Sequence, residues 1–221
     1  MGKTSKGVGR LSFLLGTAIA TSAAWASAQS PASPLAKIRV RVHDYGHVPS
    51  KVLVMAEGQA TMIFRGAGLE VTWDNSTPPK DPSQGKPVSP RPSDAACVDL
   101  RIVTHFESVA GVLRYDSLGF AAPPDTASIS LEWVENLTSL AIAEEYQVLG
   151  AAIAHEIGHL FLGPNSHSPV GIMRAGWDEG DLKRASQDNL TFTADQAKHI
   201  RTEVRHRQEQ QQTTSASTLV K

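Results

Sequence analysis

Within five residues the chain places His155, Glu156 and His159, two imidazoles and a carboxylate at a spacing that suits a metal ion. On an α-helix, positions four apart lie about 40° from one another, one turn above the other. Both rings can then reach a single ion, and neutral imidazoles are good zinc ligands at about 2.0–2.1 Å. Glu156 falls in the same sector without aligning with either histidine, beside the ion, where a carboxylate takes a proton from a metal-bound water. The implied chemistry is hydrolysis at one Zn²⁺ per chain, with His155 and His159 as ligands and Glu156 as general base. Leu149, Ile153, Ile157 and Leu160 form an apolar stripe that anchors such a helix. Catalytic zinc also requires a third protein ligand and an open position.

Downstream the chain reads Leu160-Phe161-Leu162-Gly163-Pro164-Asn165-Ser166-His167-Ser168, then Gly171-Ile172-Met173. Over His155 to Met173 it resembles the metzincin metallopeptidases. Their HExxHxxGxxH pattern leaves the helix at a glycine, reaches a third histidine and continues into a methionine turn beneath the zinc. The match is displaced, because Leu162 and Asn165 stand at the family's glycine and histidine positions while Gly163 and His167 arrive later. The resemblance implies His167 as third ligand, after a helix and a turn each one residue longer, with Met173 packed below. A carboxamide such as that of Asn165 is a poor ligand beside imidazoles, whereas Gly163 suits a helix C-cap and Pro164 stops the helix. A carboxylate, Asp178 or Glu179, stands as the alternative. The resemblance further implies a peptide or protein substrate extended along an edge strand, with residues 127–134 as the candidate edge.

Positioning these groups calls for a rigid scaffold, and hydrophobic periodicity supplies one. Ile38, Val40 and Val42 alternate with polar residues as a strand; Val52, Ala56, Ala60 and Ile63 recur at helical spacing between Pro49 and Phe64, with Gly66 as stop. Leu69, Val71 and Trp73 mark a second strand, Val98, Leu100 and Ile102 a third, and Ile129, Leu131 and Trp133 a fourth. The long helix is expected over Ala143–Leu162, followed by an irregular stretch over 163–191. Thr193 and Gln196 then make a capping box that opens a last helix to about Arg207. This order predicts one α+β domain, zincin-like (metzincin-like), with a twisted mixed sheet, a long active-site helix and a C-terminal helix.

The flanks carry other information. Lys3, Lys6 and Arg10 precede an apolar run to about Ala24, and Ala26-Ser27-Ala28 suits a signal peptidase. Residues 1–28 therefore read as a signal peptide, 29–208 as the peptidase domain and 209–221 as a disordered tail; the location expected is periplasmic or secreted. No later segment approaches a membrane span. The six prolines of 76–95 indicate an exposed loop. The single cysteine, Cys97, excludes an intramolecular disulfide and is expected to be buried and inert. Arg201, Arg205 and Arg207 are interspersed with Glu203 and Glu209, which argues for a solvated helix face and against nucleic acid. His43 and His47 could chelate weakly, but their strand-end and loop location reads as ordinary surface histidines, and His105, His199 and His206 carry no ligand spacing. A zinc endopeptidase is the first expectation; a secreted zinc-binding or interaction module retaining the fold without catalysis is the second.

Overall fold

The first strand, β1 (Ala36–Asp44), buries every second residue, as its alternation predicts, and occupies an interior position in the sheet. The computed structural model describes residues 35–75, 95–106 and 119–218, with side chains to residue 213. The expected leader and nearly all of the proline-rich loop lie outside these residues. From Pro34 onward the chain forms one compact unit.

Helix α1 (Ser50–Gly66) follows β1 and leads to β2 (Leu69–Asp74), which pairs parallel with β1 in the register Ile38↔Val71. Parallel neighbours need such a crossover. On its other side β1 pairs parallel with β3 (Ala96–Val103), and β3 pairs parallel with β5 (Thr126–Ser130). A short strand, β4 (Gly119–Ala122), runs antiparallel to β5 and closes the order β2-β1-β3-β5-β4.

One face of this sheet is apolar and covered. Ile38, Val40, Val98, Leu100, Ile102 and Ile129 are buried beneath the helices. The opposite face carries Lys37, Arg39, Arg41, Asp99 and Arg101, and there Arg41 donates to Asp99 at 3.2 Å. Cys97 lies on that polar face, half-buried, and so departs from the fully buried thiol expected.

The helix of the metal motif, α3 (Glu145–Leu162), is buried on almost every side, from Gln147 through Gly158 and again at Leu160 and Phe161. It packs against α1, β4, β5, the short helix α2 (Leu131–Thr138) and the C-terminal helix α5 (Ala194–Thr218). Full burial of Leu149, Ile153 and Ile157 contributes roughly 1.5–3 kcal/mol each. The helix starts two residues later than Ala143, because Glu144 and Gln147 form the capping box.

Four elements differ from the periodicity reading, the first being the short strand β4, which it left unmarked. Leu131 and Trp133 belong to α2, not to the fourth strand. Leu131, Val134 and Leu137 also repeat at helical spacing, and only Ile129 stays in β5. Strand β5 therefore ends at Ser130 and lies inside the sheet, so 127–134 is no edge; among the described residues the outermost strand on this side is β4. Helix α4 (Glu179–Ser186) interrupts the stretch expected to be irregular, with Asp178 as N-cap and Leu182 and Ala185 buried. Helix α5 continues past Arg207 to Thr218, through a segment expected to be disordered. Its Gln and Glu residues are good helix formers even where apolar residues are few.

Arg207 fastens α5 to the core. Its guanidinium donates to the carbonyls of Leu160 in α3 (2.5 Å) and Pro124 in the β4–β5 turn (2.7 Å), and stacks 4.7 Å above the Phe161 ring. Among the described residues no helix is long and apolar enough to cross a membrane.

Candidate metal centre

His155 and His159 project from one side of α3, one turn apart, while His167 approaches from the turn beyond the helix. Gly163 ends the helix with φ 88° and its N–H bonds to the His159 carbonyl, as its C-cap position anticipates. The Nε2 atom of His159 lies 3.0 Å from that of His155 and 3.2 Å from that of His167. Tetrahedral ligands with bonds of about 2.0–2.1 Å sit about 3.3 Å apart; the two separations from His159 are close to that, and all three nitrogens lie within 4.8 Å of one another. Among the described residues this is the group able to hold a metal ion.

The outer nitrogens show which lone pairs are free. His155 Nδ1 lies 2.7 Å from the Ile172 carbonyl oxygen. A carbonyl only accepts, so Nδ1 carries the proton and the neutral ring turns a bare Nε2 toward the other imidazoles. His159 Nδ1 pairs with Ser166 Oγ at 2.8 Å. Burial lowers His155 to about 3, helped by the nearby His159, and lowers His159 to about 4, helped by His167. Burial also lowers His167. At neutral pH all three are uncharged donors, a set that fits zinc.

Glu156 is buried beside them, and burial pushes its carboxyl up to about 8. Its space is made by Gly119 at the start of β4. A Cβ there would lie 2.8 Å from Glu156 Cγ and 2.2 Å from the Ser128 carbonyl oxygen. The carboxyl group therefore abuts the start of β4.

Met173 is fully buried beneath the cluster, its Sδ filling the space that a side chain at Gly158 would need. The expected carboxylate alternatives are elsewhere. Asp178 accepts from Arg174 at 2.6 Å and caps α4 through the Asp181 N–H, and these bonds lower its pKa to about 2. Glu179 is exposed in the first turn of α4. The other histidines stand outside the cluster; His43 instead bonds Asp99 at 3.2 Å.

Periodicity gave no hint of the supporting residues. Trp177 donates Nε1–H to the Ile172 carbonyl at 3.1 Å and sets its ring edge-on to His155, with centroids 5.9 Å apart. Fully buried Asp181 receives Arg174 at 2.5 Å and also binds Arg184, tying the residue after Met173 to α4. An Arg directly after the methionine and an Asp at the third position of a helix were the available signals.

No family model and no curated protein sequence matches the chain. Solved structures do resemble it. A zinc-dependent peptidase from Methanocorpusculum labreanum superposes with a TM-score of 0.50 at 15% identity, over 73% of this chain and 99% of the other. An archaemetzincin from Methanopyrus kandleri aligns with a TM-score of 0.45 at 16% identity, over 79% and 98% respectively. The first of these likenesses shows a shared fold: a mixed five-stranded sheet with a central helix, as the zincin-like reading expects.

Proposed function

We propose that this chain is a zinc-dependent peptidase that hydrolyses peptide bonds in proteins or extended peptides, with one ion held by His155, His159 and His167. The observation that carries this reading is the convergence of three neutral Nε2 atoms beside a buried carboxylate that belongs to none of the ligand pairs. The fold shared with a zinc-dependent peptidase supports it. A structural zinc site is usually closed by four protein ligands, whereas three leave a position open.

Zinc bound there would supply Lewis acidity and a water of lowered pKa. The chain's own residues do the rest. Burial alone raises Glu156 to about 8, and a cation held by the neighbouring histidines would favour its ionised form. The carboxylate would then accept the proton released by that water and return it to the leaving amine, acting as base and then acid. Burial and Gly119 hold it in one place, so the proton moves over a fixed path. The Ile172 carbonyl keeps His155 in the tautomer that offers Nε2, and Ser166 orients His159. Strand β4, outermost among the described strands and abutting Glu156 at Gly119, suits an extended substrate through main-chain hydrogen bonds. Such bonds read backbone shape and favour internal cleavage of unfolded segments. The basic, apolar and small-residue pattern of 1–28 supports export to the periplasm or beyond.

The test combines elemental analysis with cleavage of an unfolded casein substrate before and after chelation. About one zinc per chain and activity lost with chelator and restored by zinc are expected. A metal-replete chain that cleaves nothing would instead favour a binding module that kept the fold.

A further inference from the structure

We propose that Gln196, on the first turn of α5, is a positioning residue for His167 and acts through Ser168. The inference rests on the metal-site reading above and concerns how the third ligand is held.

His155 and His159 are fixed twice, by a helix and by a bond to the outer ring nitrogen. His167 stands on a turn, and among the described residues no hydrogen bond engages its Nδ1. Its ring therefore goes where the main chain puts it. The next residue, Ser168, closes that turn: its N–H donates to the Met173 carbonyl at 2.8 Å and its hydroxyl donates to the Val170 carbonyl at 2.8 Å. The same oxygen accepts from Gln196 Nε2 at 2.9 Å. Donor and acceptor roles of the hydroxyl are both used, so its position is determined from two sides.

Gln196 is itself anchored. Its Oε1 accepts the Thr193 N–H at 2.9 Å, and its N–H bonds Thr193 Oγ1 at 3.3 Å, closing the capping box. Because the Thr193 N–H can only donate, the amide oxygen must face it and the NH₂ must face Ser168. One side chain thus caps a helix with one end and holds the ligand turn with the other. The stretch ahead of α5 adds a second tie, the Thr191 carbonyl accepting the Ile172 N–H at 2.9 Å. The residue beside His167 and the residue whose carbonyl orients His155 therefore hang from the same six-residue segment, 191–196.

Outer partners of metal ligands typically change affinity by about 10–100-fold, and Gln196 acts one residue further out, so about tenfold is expected. The experiment measures zinc affinity of the full chain by competition with a chromophoric chelator, with the visible spectrum of the Co²⁺-substituted protein as a second readout. Gln196→Glu keeps an oxygen for the Thr193 cap and loses the donor to Ser168; Ser168→Ala removes the acceptor. Each should weaken zinc about tenfold and alter the Co²⁺ bands, and the double variant should lose no more than either alone. Thr193→Ala weakens the cap without touching Ser168, so it should lower Tm and leave affinity near wild type. Wild-type affinity in Gln196→Glu, an equal loss in Thr193→Ala, or a hundredfold loss in the double variant would each overturn the proposal. A wild-type chain that takes up no zinc overturns the metal-site reading itself, before any variant is compared.

Discussion

The Nδ1–H of His155 points at the carbonyl oxygen of Ile172, 2.7 Å away, and the indole N–H of Trp177 reaches the same oxygen at 3.1 Å. A single main-chain acceptor next to Met173 thus orients a ring on a different element. This explains how a turn beneath the site governs a ligand above it without contacting the metal point.

Ligand replacement tests the convergence. His155→Ala and His159→Ala should abolish stoichiometric zinc and lower Tm, because metal binding to the native state is folding free energy. His167→Ala should weaken zinc, while Asn165→Ala should keep it. Equal metal content in all four variants, by elemental analysis, excludes the three-histidine assignment.

Glu156→Gln separates base from ligands. It preserves volume and cannot take a proton at neutral pH. Zinc should stay bound while the turnover of casein falls by about 10² or more. Turnover at the wild-type rate would remove Glu156 from the mechanism.

Gly119→Ala probes the contact between the sheet edge and the carboxylate. The added methyl meets the Ser128 carbonyl and the Glu156 side chain well inside van der Waals distance. A loss of about 1–3 kcal/mol in denaturant unfolding is expected, the usual cost of overpacking. Casein turnover should fall as well. A variant as stable and active as wild type would show that β4 does not abut Glu156.

Acid should destabilise the metal-free chain early. His155 and His159 are lowered to about 3 and 4 when folded, against about 6.5 when unfolded. Below about pH 6.5 the unfolded state binds protons that these folded histidines refuse, so their contribution is full above that pH and falls toward pH 4. Glu156 partly offsets this, because its raised value of about 8 adds stability as pH drops from about 8 to about 4.5. Asp178, lowered to about 2, keeps its contribution until below about pH 4, so it does not act in this window. Urea midpoints of the metal-free wild-type and His155→Ala/His159→Ala chains at pH 7.5 and 5 give the check: acid should cost the wild type more than the double variant, and an equal change in both would contradict the buried neutral histidines.

Much of the site was legible because one helix carries it. His155, Glu156 and His159 are local in sequence, and 3.6-residue geometry alone predicts their grouping. The third histidine needed the family resemblance, since a turn has no period. The carbonyl of Ile172 and the amide of Gln196 were invisible for a deeper reason: their roles depend on where distant backbone passes, which no local pattern encodes. Strand β4 escaped for want of size, with a glycine and two alanines in four residues, and α2 escaped because a window of five residues supports both periods. Both errors fell at the side of the sheet proposed for substrate, where β4 replaces the segment 127–134 as the outermost described strand.

The bonds of Gln196 and Arg207 also set an order of events in biosynthesis. Both lie in the last quarter of the chain, after every ligand, and they fasten the ligand turn, the end of α3 and the β4–β5 turn. A ribosome-bound chain can display all three histidines while none of these fastenings exists. His155, Glu156, His159 and His167 are therefore translated first and immobilised last, so a nascent chain carries the histidines before it carries the supports that hold them in register.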